Sequence, residues 1–166
     1  MRRSDFYLAM DDSVLLDVAL FEPTKTAPDS GFPAVVLVHG LGGDKEDMAD
    51  AAQLFVALDG YVALSYSVRG QGNSGGLRTF SGERERQDLR TILEWLASRP
   101  NVNGRRIGIV GGSQGGQHAW WAALYGMPVR AVAAAAGYLG DLTSNGCIEV
   151  GVLGVLSSSH VRYGPV

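Results

Sequence analysis

Cysteine occurs once in the 166 residues, at Cys147, which excludes a disulfide within them and fits a reducing compartment. Lysine occurs only at Lys25 and Lys45, and neither closes the G-x-x-x-x-G-K pattern of a phosphate-cradling loop. There is no C-x-x-C and no H-E-x-x-H, so no metal centre is indicated. Basic charge is also short: 14 Lys and Arg stand against 17 Asp and Glu, a formal net charge of −3. The tight basic pairs, Arg2-Arg3 and Arg105-Arg106, are too brief to track a phosphate backbone, so nucleic acid is not an expected partner. No apolar run approaches the ~20 residues of a membrane span. The opening Met1-Arg2-Arg3-Ser4-Asp5 has no apolar stretch of the kind a secretory leader carries. With 46% hydrophobic and 19% charged residues, the expectation is a soluble, cytoplasmic, single domain.

Glycine is the residue in excess. There are 23, about twice the usual ~7% share, and they gather at 40–43, 70–76 and 111–116, each time just after an apolar run. Glycine there permits positive φ and close backbone approach. A strand followed by a glycine-rich turn, three times over, points to an α/β sheet with a site at its carboxyl edge.

Phe6–Met10 and Ser13–Leu20 read as two antiparallel strands, with Val14, Leu16, Val18 and Leu20 on one face. After a loop to residue 32, the apolar runs Ala34–Val38, Tyr61–Tyr66, Arg106–Val110 and Val129–Ala136 read as buried strands. Between them lie helices from Lys45 to Leu58, capped by Asp44, from about Gly82 to Ser98, capped by Ser81, and from Gln114 to Tyr125. Strict β-α alternation predicts a mostly parallel, doubly wound sheet flanked by helices. Residues 1–32 are its antiparallel lead-in, 33–142 its core βα units, and 143–166 remain unassigned, the start of a cap being one reading. Within that stretch Ile148–Leu156 reads as either a strand or a buried helix.

Gly111-Gly112-Ser113-Gln114-Gly115-Gly116 contains G-x-S-x-G directly after a strand and opening a helix. That context presents a serine hydroxyl above a sheet as a nucleophile. The competing reading makes Ser113 an ordinary helix cap. On the elbow reading Ser113 requires positive φ, and Gly111 and Gly115 must be small. The amide of Gln114 is then a donor to a developing oxyanion. His39-Gly40-Leu41-Gly42-Gly43 follows the strand Ala34–Val38, and the Leu41 amide is its best second donor. His39 itself is expected to be packed and bonded to backbone. Gly70, Gly72 and Gly75 satisfy G-x-G-x-x-G, but Gly76–Ser81 separate them from the next helix, whereas a dinucleotide pyrophosphate needs that helix at once. The match reads as coincidence, with Arg69 bracing the loop through a carboxylate such as Asp88, and no cofactor is expected.

Pro33–Leu142 resembles the α/β-hydrolase superfamily on these motifs. Arg69-Gly70-Gln71 together with G-G-S-Q-G at 111–115 is similar to the acetyl xylan esterase and cephalosporin deacetylase family. Val68–Gly76, Glu85–Asp88 and Glu94-Trp95-Leu96 resemble the Xaa-Pro dipeptidyl-peptidase and cocaine-esterase-like family. Ser67 stands where that family commonly has aspartate, and Gln114 where it has tyrosine. The resemblance implies an esterase or dipeptidyl-peptidase-like serine hydrolase acting through acyl-Ser113 on a small ester or peptide. It also implies an acid and then a histidine after the nucleophile. The candidates are Asp141 and His160, since His118 sits on the same helix as Ser113 and points along it. About 30 residues follow Ala136, room for one βαβ unit where two are usual. The expectation is therefore an amino-terminal portion of a longer hydrolase, with an apolar Gly146–Val166 through which copies could associate. The rival classes are a catalytically incomplete domain binding a small acyl ligand or partner chain, and a nucleotide-binding oxidoreductase.

Overall fold

The computed structural model describes residues 1–135, except the Asp59 side chain, and the backbone of 138–139, 148–149 and 154–157. The chain runs β1 (Arg2–Ala9), β2 (Leu15–Glu22), β3 (Phe32–Val38), a 3-10 turn (Lys45–Met48), α1 (Ala49–Asp59), β4 (Val62–Tyr66), α2 (Glu83–Ala97) and β5 (Val102–Gly112). It continues through α3 (Gln114–Leu124), β6 (Ala131–Ala135), β7 (Tyr138–Leu139), β8 (Ile148–Glu149) and β9 (Gly154–Ser157). Asp141, Cys147 and His160, and most of the apolar segment 146–166, lie outside the described residues.

The main sheet has the order β1-β2-β4-β3-β5-β6-β9. The pairs β4–β3, β3–β5 and β5–β6 are parallel, while β1–β2, β2–β4 and β6–β9 are antiparallel. Alternation sorts the strand residues into two cores. Ala34, Val36, Val38, Val62, Leu64 and Tyr66 face α2 and α3, with Leu89, Ile92, Leu93 and Leu96 of α2 packed against them. Val35, Leu37, Ala63 and Phe21 face α1, against Ala49, Ala52 and Val56. Both faces of β3 and β4 are therefore dry, which is why those strands read as unbroken apolar runs.

The order also has a reversal. From β3 the chain crosses through α1 to β4 on one side, whereas from β5 it crosses through α3 to β6 on the other. The adjacent ends of β3 and β5 thus open a crevice, the place where ligands bind in open α/β sheets.

Several boundaries differ from expectation. Strand β1 starts at Arg2, not Phe6, because Arg2 pairs in register with Glu22 and its guanidinium bonds the buried Glu22 carboxylate at 2.6 Å. Apolar alternation cannot register such a pair. The helix expected over 45–58 opens as a 3-10 turn in which Lys45 is buried, its ammonium 2.7 Å from Asp17 and 2.8 Å from Asp5. Asp44 caps that turn, as expected. Ser81 does not cap α2: Gly82 holds the cap position, and Ser81 has φ +70°. In β6, Val132 and Ala134 are buried but Ala131 and Ala135 are exposed, so only one face is covered among the described residues.

Arg69 bonds Asp88 through two nitrogens, at 2.7 and 2.6 Å, and Asp12 through two more contacts at 2.8 and 3.1 Å. It ties the loop after β4 to α2 and to the β1–β2 turn. Burial pushes the Asp88 carboxyl up in spite of this partner. The Asp12 carboxyl, bonded by Arg69 and faced also by Arg84, is held down at about 2, against about 3.9 for a free aspartate. A group depressed on folding contributes stability above its unfolded pKa and loses it as pH falls through the folded one. The melting temperature is accordingly expected to decline between about pH 5 and pH 2, and more shallowly in Asp12→Asn. Parallel curves for the two proteins in a Tm series across that window would count against this role.

Candidate active site

Ser113 sits at the junction of β5 and α3 with φ +54° and ψ −120°. Its side chain makes no capping bond. Instead its backbone closes the turn, the Ser113 N–H donating to the Ala135 carbonyl at 2.9 Å and the Ser113 carbonyl accepting from Gln117 at 3.1 Å. The conformation is sparsely populated for a residue with a side chain and costs of order 1–3 kcal/mol. Ser113 is also solvent-exposed while every residue from Gln114 to Ala119 is buried.

Close packing forces this turn. A Cβ on Gly111 would overlap the Gly115 backbone, and a Cβ on Gly115 would overlap the Val38 carbonyl. Both glycines had been expected to be small for the approach of strand and helix. The structure shows that the element Gly115 meets is β3, across the crevice, and not only its own strand.

The loop after β3 comes up beside the turn, and a Cβ on Gly40 would lie 3.5 Å from that of Ser113. Among the described residues, neither the Leu41 N–H nor the Gln114 N–H makes a hydrogen bond. Leu41 is half exposed and Gln114 starts α3, where unpaired amides and the helix dipole favour negative charge.

Two histidines lie among the described residues near this turn, and both are committed elsewhere. His39 is buried, donating from Nδ1 to the Gly40 carbonyl at 2.6 Å and accepting at Nε2 from the Val68 N–H at 2.9 Å. Accepting that bond requires the neutral ring, and burial lowers its pKa accordingly. His118 is fully buried, with Nδ1 3.3 Å from the Tyr66 hydroxyl and Nε2 3.3 Å from Glu85.

Sequence reasoning missed Glu85 as a site residue, naming it within the family-like stretch Glu85–Asp88. Its carboxylate is fully buried and accepts from the Thr79 N–H and hydroxyl at 2.8 and 3.0 Å and from the Ser81 N–H at 2.8 Å. Gln114 Nε2 reaches it at 3.1 Å. Burial opposes its ionisation, but His118 and the two amides outweigh burial, and its pKa lies below the usual value. Glu85 also spans Phe80 and Ser81, both at positive φ. The available signal was its position three residues after Gly82, where a glutamate reaches back to free amides. The glycine loop between β4 and α2 is self-bonded: Gly70 donates to Gly75 at 3.0 Å, Gln71 to Val68 at 2.9 Å and Ser74 to Gln71 at 3.0 Å.

The family model for X-Pro dipeptidyl-peptidase (S15 family) matches residues 12–159. The chain belongs to the S15 family. The curated protein YcjY of Escherichia coli K12, uncharacterized, is 27% identical over 137 residues, 81% of this chain and 45% of YcjY. The sn-1-specific diacylglycerol lipase ABHD11 of Mus musculus is 34% identical over 96 residues, 58% of this chain and 29% of the lipase. Among solved structures, the α/β hydrolase GrgF from Penicillium sp. sh18 superposes with a TM-score of 0.74 at 28% identity, covering 87% of this chain and 49% of GrgF. The chain therefore spans less than half the length of each of these relatives. This S15 member has the α/β-hydrolase fold, and named hydrolases are among the proteins it resembles. The family match bears out the resemblance to the dipeptidyl-peptidases, with Ser67 and Gln114 as departures, and acetyl xylan esterase 1 from Thermoanaerobacterium sp. JW/SL YS485 shares the fold, with a TM-score of 0.68 at 22% identity over 82% of this chain and 48% of that one. Among the described residues no helix is long and apolar enough to cross a membrane.

Proposed function

We propose that the chain carries the nucleophile half of a serine hydrolase that cleaves an ester or amide through an acyl-Ser113 intermediate. The observation that carries this reading is the exposed, uncapped Ser113 at φ +54°, held in a strained turn at the sheet's switch point beside the 39–43 loop, with the Leu41 and Gln114 N–H groups making no hydrogen bond among the described residues. Strain of this kind persists where the surroundings over-determine it, and it clusters at active sites.

In the reaction, Ser113 Oγ attacks the substrate carbonyl and loses its proton to a base. The Leu41 and Gln114 amides take the oxyanion, and collapse expels the alcohol or amine. Water then releases the acyl group by the same route. Removing one such amide typically costs ~10²–10³ in rate. The dipeptidyl-peptidase description of the family and the lipase relative support a small ester or peptide as substrate. Asp141 and His160 follow Ser113 in the acid-then-histidine order and are this chain's candidates for the acid and base, to be tested.

A second reading has its own support. His39 and His118, the histidines near Ser113 among the described residues, both spend their ring nitrogens internally. On that reading the chain binds a small acyl ligand or a partner without turnover. A fluorophosphonate probe separates the two: covalent labelling located at Ser113 by mass spectrometry, lost in Ser113→Ala, is the expected result. A wild-type chain that stays unlabelled while folded would leave only the binding domain. Labelling that slows in His160→Ala identifies the base, and labelling indifferent to it removes His160 from the assignment.

A further inference from the structure

Glu85 takes no part in the acyl transfer just described, yet it ends a chain of buried hydrogen bonds that reaches the oxyanion loop. Gln114 Nε2 donates to Glu85 Oε2 at 3.1 Å, Gln71 Nε2 donates to Gln114 Oε1 at 3.0 Å, and Gln71 Oε1 accepts from the Gly42 N–H at 2.6 Å. Gln71 and Gln114 are 5% and 4% exposed. Three separate loops, after β3, β4 and β5, are joined by this run.

The direction of every bond in it follows from its two ends. A carboxylate only accepts, so Gln114 must turn its NH2 to Glu85 and its oxygen to Gln71. Gln71 must then give its NH2 to Gln114, which leaves its oxygen facing Gly42. At that end stands a backbone N–H, which only donates. A carboxamide by itself has two nearly equivalent orientations; here both are dictated, because turning either one buries donor against donor or acceptor against acceptor. Buried chains of this kind reinforce one another and hold a single arrangement.

Gly42 is the residue after Leu41, and Gln114 is the residue after Ser113. The relay therefore runs from the residue whose amide opens α3 to the peptide next to the one that carries the Leu41 amide. We propose that Glu85 is a positioning residue which, through the Gln114–Gln71 relay, sets the 39–43 loop so that the Leu41 amide faces Ser113. This rests on the acyl-transfer reading for its consequence in rate, while the relay itself can be tested without any activity.

The experiment measures amide hydrogen exchange at Gly42 by NMR on the 166-residue chain, in wild type and Gln71→Leu. The apolar near-isostere keeps the volume and removes the acceptor. Gly42 exchange is expected to accelerate about tenfold or more, with the melting temperature moved by only a few degrees. Unchanged protection at Gly42 in a folded Gln71→Leu would overturn the proposal. Where the wild type reacts, the rate of Ser113 labelling, or kcat on nitrophenyl acetate, is expected to fall about 10–100-fold with KM nearly constant, because the oxyanion exists only past the ground state.

The polarity of the relay can be checked separately. Gln71→Glu still offers the Gly42 N–H an acceptor but sets its second carboxylate oxygen against the Gln114 oxygen, which Glu85 holds in that sense. Gly42 is expected to stay protected while the melting temperature falls, the more so at alkaline pH where the new carboxyl is ionised. A folded Gln71→Glu chain that melts like wild type at alkaline pH would show that Gln114 is free to turn, and the proposal fails. A wild-type chain unlabelled at Ser113 would sink the hydrolase reading instead, with Gly42 exchange still deciding the relay.

Discussion

Gly115→Val is expected to lower stability by at least about 3 kcal/mol, a fall in melting temperature of about 6–12 °C for a chain this size. A Cβ at this position overlaps the Val38 carbonyl oxygen and lies 2.8 Å from that of His39. Overpacking against movable side chains typically costs ~1–3 kcal/mol. Here the obstacle is backbone at the end of β3, where Val38 is paired on both sides, to Tyr66 and Gly111. Relief requires α3 to lift off the sheet or β3 to leave its ladder. Gly42→Ala is the matched control: Gly42 has φ +81°, but a Cβ there meets nothing within 4 Å. It should cost only the ~1–2 kcal/mol of left-handed backbone. A thermal melt of both variants decides the matter. Wild-type melting in Gly115→Val would mean that the helix and β3 do not meet as described, and the turn that presents Ser113 would lose its cause.

The second large effect pairs a loss with a gain. Ser113→Gly is expected to abolish covalent labelling and any turnover, by ~10⁴–10⁶ if a full triad serves the intact enzyme. The same variant is expected to melt higher than wild type. Glycine adopts φ +54° without the steric penalty of a side chain, recovering part of ~1–3 kcal/mol. The added freedom of the unfolded chain returns ~0.4–1 kcal/mol of that. The net gain is about 1 kcal/mol, or roughly 2–4 °C. Stability bought at the expense of activity is the signature of a residue kept in strain for function. Scanning calorimetry beside phosphonate labelling reads both halves. A Ser113→Gly protein that is less stable than wild type would show that the hydroxyl holds the turn together, which is what a capping serine does and a nucleophile does not.

Residues 33–135 were legible because their information is local. Each buried strand is an apolar run bounded by glycine or proline, and each helix carries its stripe three and four residues apart. The G-x-S-x-G string requires a tight turn wherever a strand hands over to a helix. Asp44 as a cap and Arg69 against Asp88 were readable for the same reason, since charge and spacing admit few partners. The amino-terminal hairpin was placed correctly but slipped by up to four residues, because its ladder is closed by Arg2 and Glu22 and not by apolar alternation.

What only the tertiary structure decided is which residues meet across loops. The order β4-β3-β5 brings the 39–43 loop beside Ser113, and nothing in either segment encodes that adjacency by itself. The glycine string 70–76 satisfies a nucleotide fingerprint on paper, yet the Gly70, Gln71 and Ser74 amides donate to carbonyls of the same loop and the Gly75 amide to that of Leu15. Glu85 reads as a first-turn charge on an amphipathic helix, where most glutamates face water. It becomes a buried hub because α2 and α3 pack against one sheet face and leave it no solvent, so that its charge is met by two backbone amides, the Thr79 hydroxyl, Gln114 and His118. Sequence spacing sets what a segment can form by itself. Burial, which converts a surface carboxylate into the end of a relay, exists only once the layers have closed over it.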